Sequence, residues 1–260
     1  DPEVLAGDLP GSVVDYAVAP DGARIALVTW PSPDLVDLLR AEVHLLDAEA
    51  DTTERVDEDA GNKGDLLWSR DGTRLAWTRG EAFPSLSDVQ LLELRGRRRR
   101  LRTIEMYMVD PGLLHLEGDT LLFSAPERTT AGLYRLDLAT EEIERSTPAG
   151  SIHRGFSVSA DGGVRAWLAA DATHLSEVEV RHADGEVRRI TDVSAQLQGF
   201  ALPTKEIVSW TAPDGLAIEG VLTLPPDFDA RRRWPLLVRT HGGPTGTDFP
   251  WLAGAPRSFY

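Results

Sequence analysis

Apolar and polar positions alternate along most of the chain in short runs, and the runs recur. Four segments align: Tyr16–Leu27 (YAVAPDGARIAL), Leu66–Trp77 (LLWSRDGTRLAW), Leu114–Phe123 (LHLEGDTLLF) and Phe156–Trp167 (FSVSADGGVRAW). Each is an alternating run, an Asp/Gly pair and a second apolar run. That is the form of a tight β-hairpin, because Gly and Asp accept the positive φ such turns require. The matched apolar positions Leu27, Trp77, Phe123 and Trp167 are 50, 46 and 44 residues apart. A further period-two strand follows each hairpin, at Glu42–Asp47, Asp88–Leu94, Gly132–Leu138 and Ser176–Arg181. Short edge strands are expected near Val56, Leu101, Ile143 and Ile190. Four strands in roughly 45 residues is the arithmetic of a β-propeller blade. A β-sandwich would also give many short strands, but not this recurrence.

Several conspicuous features fit the same pattern without chemistry. Arg95, Arg97 to Arg100 and Arg102 fall between two strands of the second blade, where a solvated hairpin accounts for them better than a phosphate patch. Leu35, Leu38 and Leu39 have helical spacing, so an inserted helical turn explains the longer first interval. Trp77 and Trp167 occupy equivalent blade positions and are expected in the core. His44, His115, His153, His174 and His182 show no metal-ligand spacing. The acidic stretch from Asp47 to Asp59 reads as a solvated loop.

After Thr191 the rhythm stops. Ile207–Thr211 and Ala217–Leu224 read as a hairpin around Pro213-Asp214-Gly215, Pro225-Pro226 ends it, and Trp234–Thr240 reads as a buried-type strand. His241-Gly242-Gly243-Pro244 follows directly. Open α/β sheets gather catalytic groups at that end of their strands. Adjacent glycines there let backbone N–H groups approach a developing negative charge, which is the mechanical form of an oxyanion loop; the alternative is an ordinary Gly-Pro turn.

Together, SWTAPDGLAIEGVLTLP (209–225) and WPLLVRTHGGPTG (234–246) resemble the prolyl oligopeptidase family of serine peptidases, closest to its acylaminoacyl-peptidase branch. The resemblance implies a mainly β fold: a partial β-propeller of about four blades of four antiparallel strands over residues 1–200, then the first strands of an α/β-hydrolase domain over 201–260. It implies hydrolysis of short peptides by acyl transfer, with the propeller gating access. Gly242 and Gly243 match the family's oxyanion loop and His241 its leading histidine, which shapes the loop and is not the triad base. Nucleophile, aspartate and base follow that loop in α/β-hydrolases, in the order Ser, Asp, His. Only sixteen residues follow Pro244, their single serine is Ser258, and no Gly-x-Ser-x-Gly elbow occurs in the chain. We therefore expect no catalytic triad here, no activity from the chain alone, and the triad downstream of Tyr260. The missing initial Met and the shortage of blades fit a portion of a longer peptidase. The expected partners are short peptides, the remainder of the peptidase domain and a second copy of the chain. A non-enzymatic propeller serving as a binding scaffold is the alternative.

Composition narrows the picture slightly. The 260 residues carry a net charge of −15, with 42 acids against 27 bases, which argues against a nucleic-acid footprint. No run approaches the roughly 20 apolar residues of a membrane span, so no membrane partner is expected. There is no Cys, hence no disulfide or thiolate chemistry. No cofactor and no metal are implied, and a cytoplasmic location is the expectation.

Overall fold

A computed structural model describes residues 9, 11–82, 86–96, 98–243 and 245–252, without the side chains of Arg95 and Tyr107. Arg97, Pro244 and Ser258 lie outside the described residues. The first eight strands come in the expected groups of four. The first group is β1 (Ser12–Val18), β2 (Arg24–Trp30), β3 (Glu42–Asp47) and β4 (Thr52–Asp57), paired in that order. The second is β5 (Asn62–Trp68), β6 (Arg74–Gly80), β7 (Ser87–Arg95) and β8 (Arg98–Met108), again in order. Next come β9 (Gly112–Glu117), β10 (Thr120–Glu127), β11 (Thr130–Asp137) and β12 (Ile143–Arg145), then β13 (Ile152–Val158), β14 (Arg165–Ala170), β15 (Glu177–Arg181) and β16 (Val187–Arg189); instead of two separate groups these eight join in one sheet, through a parallel pairing of β11 with β13 at Ala131 and Ile152. A last hairpin joins β17 (Thr204–Thr211) to β18 (Ala217–Leu224). Leu35–Leu39 forms the inserted turn as a 3₁₀ helix, and a second covers Val193–Leu197.

The chain divides into two compact units, 1–123 with 135–144, and 124–134 with 145–260. The division falls within the β10–β11 hairpin. In the first unit, Val28, Val43, Leu45, Leu75, Trp77 and Leu92 form one buried cluster with Trp68. Each such side chain removed from water contributes about 1.5–3 kcal/mol. In the second unit, Ile152, Trp167, Ala169 and Ala170 are buried, and the Trp167 indole meets the His153 ring edge-on at 5.8 Å.

One device repeats in the hairpin turns. Gly22, Gly72 and Gly162 have φ of 74°, 66° and 70°, and the amide N–H of each closes a turn onto the carbonyl of Ala19, Ser69 and Ser159. The preceding Asp accepts a backbone N–H two residues on, at Ala23, Thr73 and Gly163, 3.0 Å in each case. Such Asx turns hold a left-handed position that a Cβ would strain. In the first unit the turns are also latched to each other. Arg24 donates to the Gly72 carbonyl at 2.9 Å, and Arg74, at the equivalent position, donates to that of Gly118.

Three expectations need correction. Asp57 does not lie in a solvated acidic loop: it ends β4 and is buried, because Lys63 on β5 and the Trp77 indole N–H pair with its carboxylate at 2.9 and 3.1 Å. The β7–β8 hairpin is longer than a short edge strand, with β8 covering eleven residues. Trp234–Thr240 pairs with no strand among the described residues, and Leu236, Leu237 and Val238 are 77%, 91% and 75% exposed. A buried-type strand needs neighbours on both edges and a layer on each face. Arg98, Arg99 and Arg100 are exposed as expected, Arg99 pairing with Glu54 at 2.5 Å. No helix among the described residues is long and apolar enough to cross a membrane.

Candidate functional site

The His241 loop is built from tightly apposed backbone. Arg239 and Asp248 pair at 2.8 Å and tie the loop's two ends. Inside it, an ideal Cβ on Gly243 would lie 2.5 Å from the Gly246 nitrogen and 2.7 Å from that of Thr245. A Cβ on Gly246 would fall on the Gly242 carbonyl oxygen. Glycine is therefore required at 243 and 246, whereas Gly242 has open space around it. The His241 Nδ1–H donates to the Gly242 carbonyl at 3.1 Å and turns the ring onto its own backbone. His241, Gly242 and Gly243 are exposed, and among the described residues the amide N–H groups of Gly242 and Gly243 donate to no backbone carbonyl. Two adjacent N–H donors with that freedom are what an oxyanion needs.

The segment behind the loop is anchored. Leu252 N–H donates to the Asp171 carbonyl at 2.7 Å, and the Lys205 ammonium on β17 donates to the Trp251 carbonyl at 2.6 Å. The Arg154 guanidinium covers the Trp251 ring at 4.2 Å from its centroid. Burial, with the Arg239 charge adding to it, holds the Lys205 ammonium below the ordinary lysine range. Asp171 moves below the usual carboxylate range: burial raises it, but hydrogen bonds from Thr173 and His174 together outweigh that. On β18, Glu219 accepts from Arg128 at 2.8 Å and Thr129 at 3.1 Å, fixing the final hairpin to the β10–β11 turn.

The histidines are dispersed. His44 is buried between Thr29 and Glu42 at 3.2 Å each, His115 faces Glu117 at 3.5 Å, and His174 caps its own turn through Asp171. Among the described residues no three His, Asp or Glu side chains group as metal ligands would. Sequence reasoning missed Gly246, Arg239, Asp248 and Lys205. Gly246 was visible as a second glycine three residues after Gly243; the ion pair and the lysine bond join separated residues and carry no local signal.

Two four-stranded antiparallel sheets, the larger sheet of β9–β16, a last strand pair and a His-Gly-Gly loop make a mainly β, propeller-type chain. Dipeptidyl-peptidase 5 of Porphyromonas gingivalis is 21% identical over 253 residues, covering 90% of this chain and 35% of that protein. A puromycin hydrolase structure superposes with a TM-score of 0.58 at 18% identity, covering 94% of this chain and 48% of the other. A puromycin-hydrolyzing peptidase of Mycobacterium tuberculosis gives 0.57 at 17% identity, covering 84% and 35%. No family model matches the chain. The chain thus spans about a third of the length of the curated relative it matches, 35%. The resemblance to the prolyl oligopeptidase family extends from the motifs of the last fifty residues to the fold of most of the chain.

Proposed function

We propose that this chain is a portion of a serine peptidase that hydrolyses short peptides by acyl transfer, in the cytoplasm. Residues 1–200 are the propeller that limits access, and 201–260 open the α/β-hydrolase domain. Gly242 and Gly243 supply N–H donors to the tetrahedral oxyanion, and His241 shapes their loop. The nucleophilic Ser, its Asp and its base His come from the remainder of the peptidase domain, which is the chain's first partner; a second copy is another. The observation that carries this reading is the loop itself, where glycine is required at 243 and 246 and, among the described residues, the amides of 242 and 243 have no backbone acceptors.

The attack would run as in other acyl transfers: the serine Oγ adds to the peptide carbonyl, its proton passes to the histidine, and the carbonyl oxygen takes up negative charge at the N–H pair. Losing one such donor costs about 10²–10³ in kcat. The test is turnover of acetyl-alanyl and alanyl-alanyl p-nitroanilides. The chain alone should show none, and a longer product carrying a downstream Gly-x-Ser-x-Gly should show burst kinetics that Gly243→Val lowers at least tenfold. A burst from the chain alone, abolished by Ser258→Ala, overturns the reading, and a longer product without any turnover favours the binding-scaffold alternative.

A further inference from the structure

The second unit holds a cavity of about 310 Å³ whose lining includes Ile152, Asp171, Thr173, Lys205, Ile207 and Pro250. That volume is at the lower end of ligand pockets, about 300–1,000 Å³. Two cations converge beside it on one residue, Lys205 on the Trp251 carbonyl and Arg154 on the Trp251 ring. Among the described residues neither has a carboxylate within 4 Å. By contrast, the shielded side chains of Lys63, Arg74, Arg102 and Arg145 all meet acids.

Asp171 is not the missing counter-ion. Its carboxylate already accepts from Thr173 N at 2.7 Å, Thr173 Oγ at 2.8 Å, His174 N at 2.8 Å and His174 Nδ1 at 3.0 Å. An ammonium has three donors, and Lys205 uses one of them on a neutral carbonyl. A partly buried cation with donors to spare favours an anion, because a charge-assisted bond offsets its desolvation. The remaining walls, Ile152, Ile207 and Pro250, are apolar. One ammonium against apolar walls suits a single carboxylate on an aliphatic body, whereas a phosphate would call for more donors.

We propose that this cavity binds the carboxylate of a small aliphatic acid, with Lys205 as its ion partner. The inference stands on the cavity alone and does not depend on peptidase activity. A peptide C-terminus and a free branched-chain acid share this chemistry, so both are probed.

The experiment is calorimetric titration of the 260-residue chain with Ala-Leu, Ala-leucinamide, 4-methylpentanoate and inorganic phosphate. At least one of the two acids should bind, with Ala-leucinamide at least tenfold weaker than Ala-Leu if the peptide is the tighter. Tighter Ala-Leu identifies a peptide end, and tighter 4-methylpentanoate a free acid. Lys205→Met should weaken the acid at least tenfold and Lys205→Arg should retain binding, with circular dichroism showing each variant folded. Absence of binding by both acids, amide binding equal to acid, phosphate binding as tight as either acid, or an unchanged Lys205→Met would each overturn the proposal.

Discussion

Replacing Asp57 with Asn would strip the counter-charge from a lysine that has no other escape. The Lys63 side chain is 0% exposed and that of Asp57 2%, with their charged atoms 2.9 Å apart. The ammonium also donates to the Asp57 carbonyl at 3.4 Å, and the Trp77 indole N–H adds a second bond to the carboxylate. Breaking a buried pair by removing one partner costs about 3–5 kcal/mol, because the remaining charge stays desolvated. At about 2–4 °C per kcal/mol for a protein of this size, the melting temperature of Asp57→Asn should fall by roughly 6–20 °C. Lys63→Met strands the carboxylate instead and should cost a similar amount. Asp57→Asn with Lys63→Met removes both charges while leaving Trp77 an acceptor, so the double variant should be less destabilised than either single one. Urea unfolding followed by tryptophan fluorescence, with the double-mutant cycle, measures this directly. Single variants that each lose less than about 1 kcal/mol, the usual worth of a surface pair, and that add in the double would refute the buried-pair reasoning.

Other features of the blades make equally definite predictions. Gly72→Ala places a Cβ at φ 66°, where ordinary contacts with Arg24 and Pro20 leave backbone strain as the cost; about 1–2 kcal/mol should be lost in thermal melts. Arg74→Met removes the latch to the Gly118 carbonyl and should cost about 1.5–3 kcal/mol, the value of a hydrogen bond to a charged group, in urea unfolding. Hydrogen bonds from the Ser69 hydroxyl, then from the Thr73 amide and hydroxyl, hold the Asp71 carboxyl down at about 2 against an ordinary 3.8. The folded state then binds fewer protons than the unfolded one, so this contribution is present above about pH 4 and lost as pH falls towards 2. Asp71→Asn should flatten that part of the acid unfolding curve and leave the curve above pH 5 unchanged in shape.

The hairpins were legible in the sequence because their turns impose a local requirement. Asp21-Gly22, Asp71-Gly72 and Asp161-Gly162 need positive φ at the glycine and a short side-chain acceptor before it, and few residue pairs supply both. The equivalent core positions followed, since Leu27, Trp77, Phe123 and Trp167 keep the same phase relative to those turns and are all buried. What escaped depends on contacts between distant residues. Lys63 and Asp57 each look like a surface charge in sequence, and only the approach of β4 to β5 makes them a pair. The apolar run at Trp234–Thr240 is a strand by pattern alone; among the described residues it has no hydrogen-bonding neighbours, and Leu236, Leu237 and Val238 stay exposed. In the site, His241-Gly242-Gly243 was readable as a local motif. The Arg239–Asp248 tie and the Lys205–Trp251 bond, which spans 46 residues, were not.

The proposal that His241, Gly242 and Gly243 form the oxyanion loop of a serine peptidase whose nucleophile lies in a Gly-x-Ser-x-Gly segment outside these 260 residues has a direct test. A fluorophosphonate probe, which labels only an activated serine, supplies it when read by intact mass and peptide mapping. The account predicts no adduct on the 260-residue chain, Ser258 included, and one adduct on the serine of a Gly-x-Ser-x-Gly segment in the longer product. A stoichiometric adduct on any serine of this chain alone would contradict it.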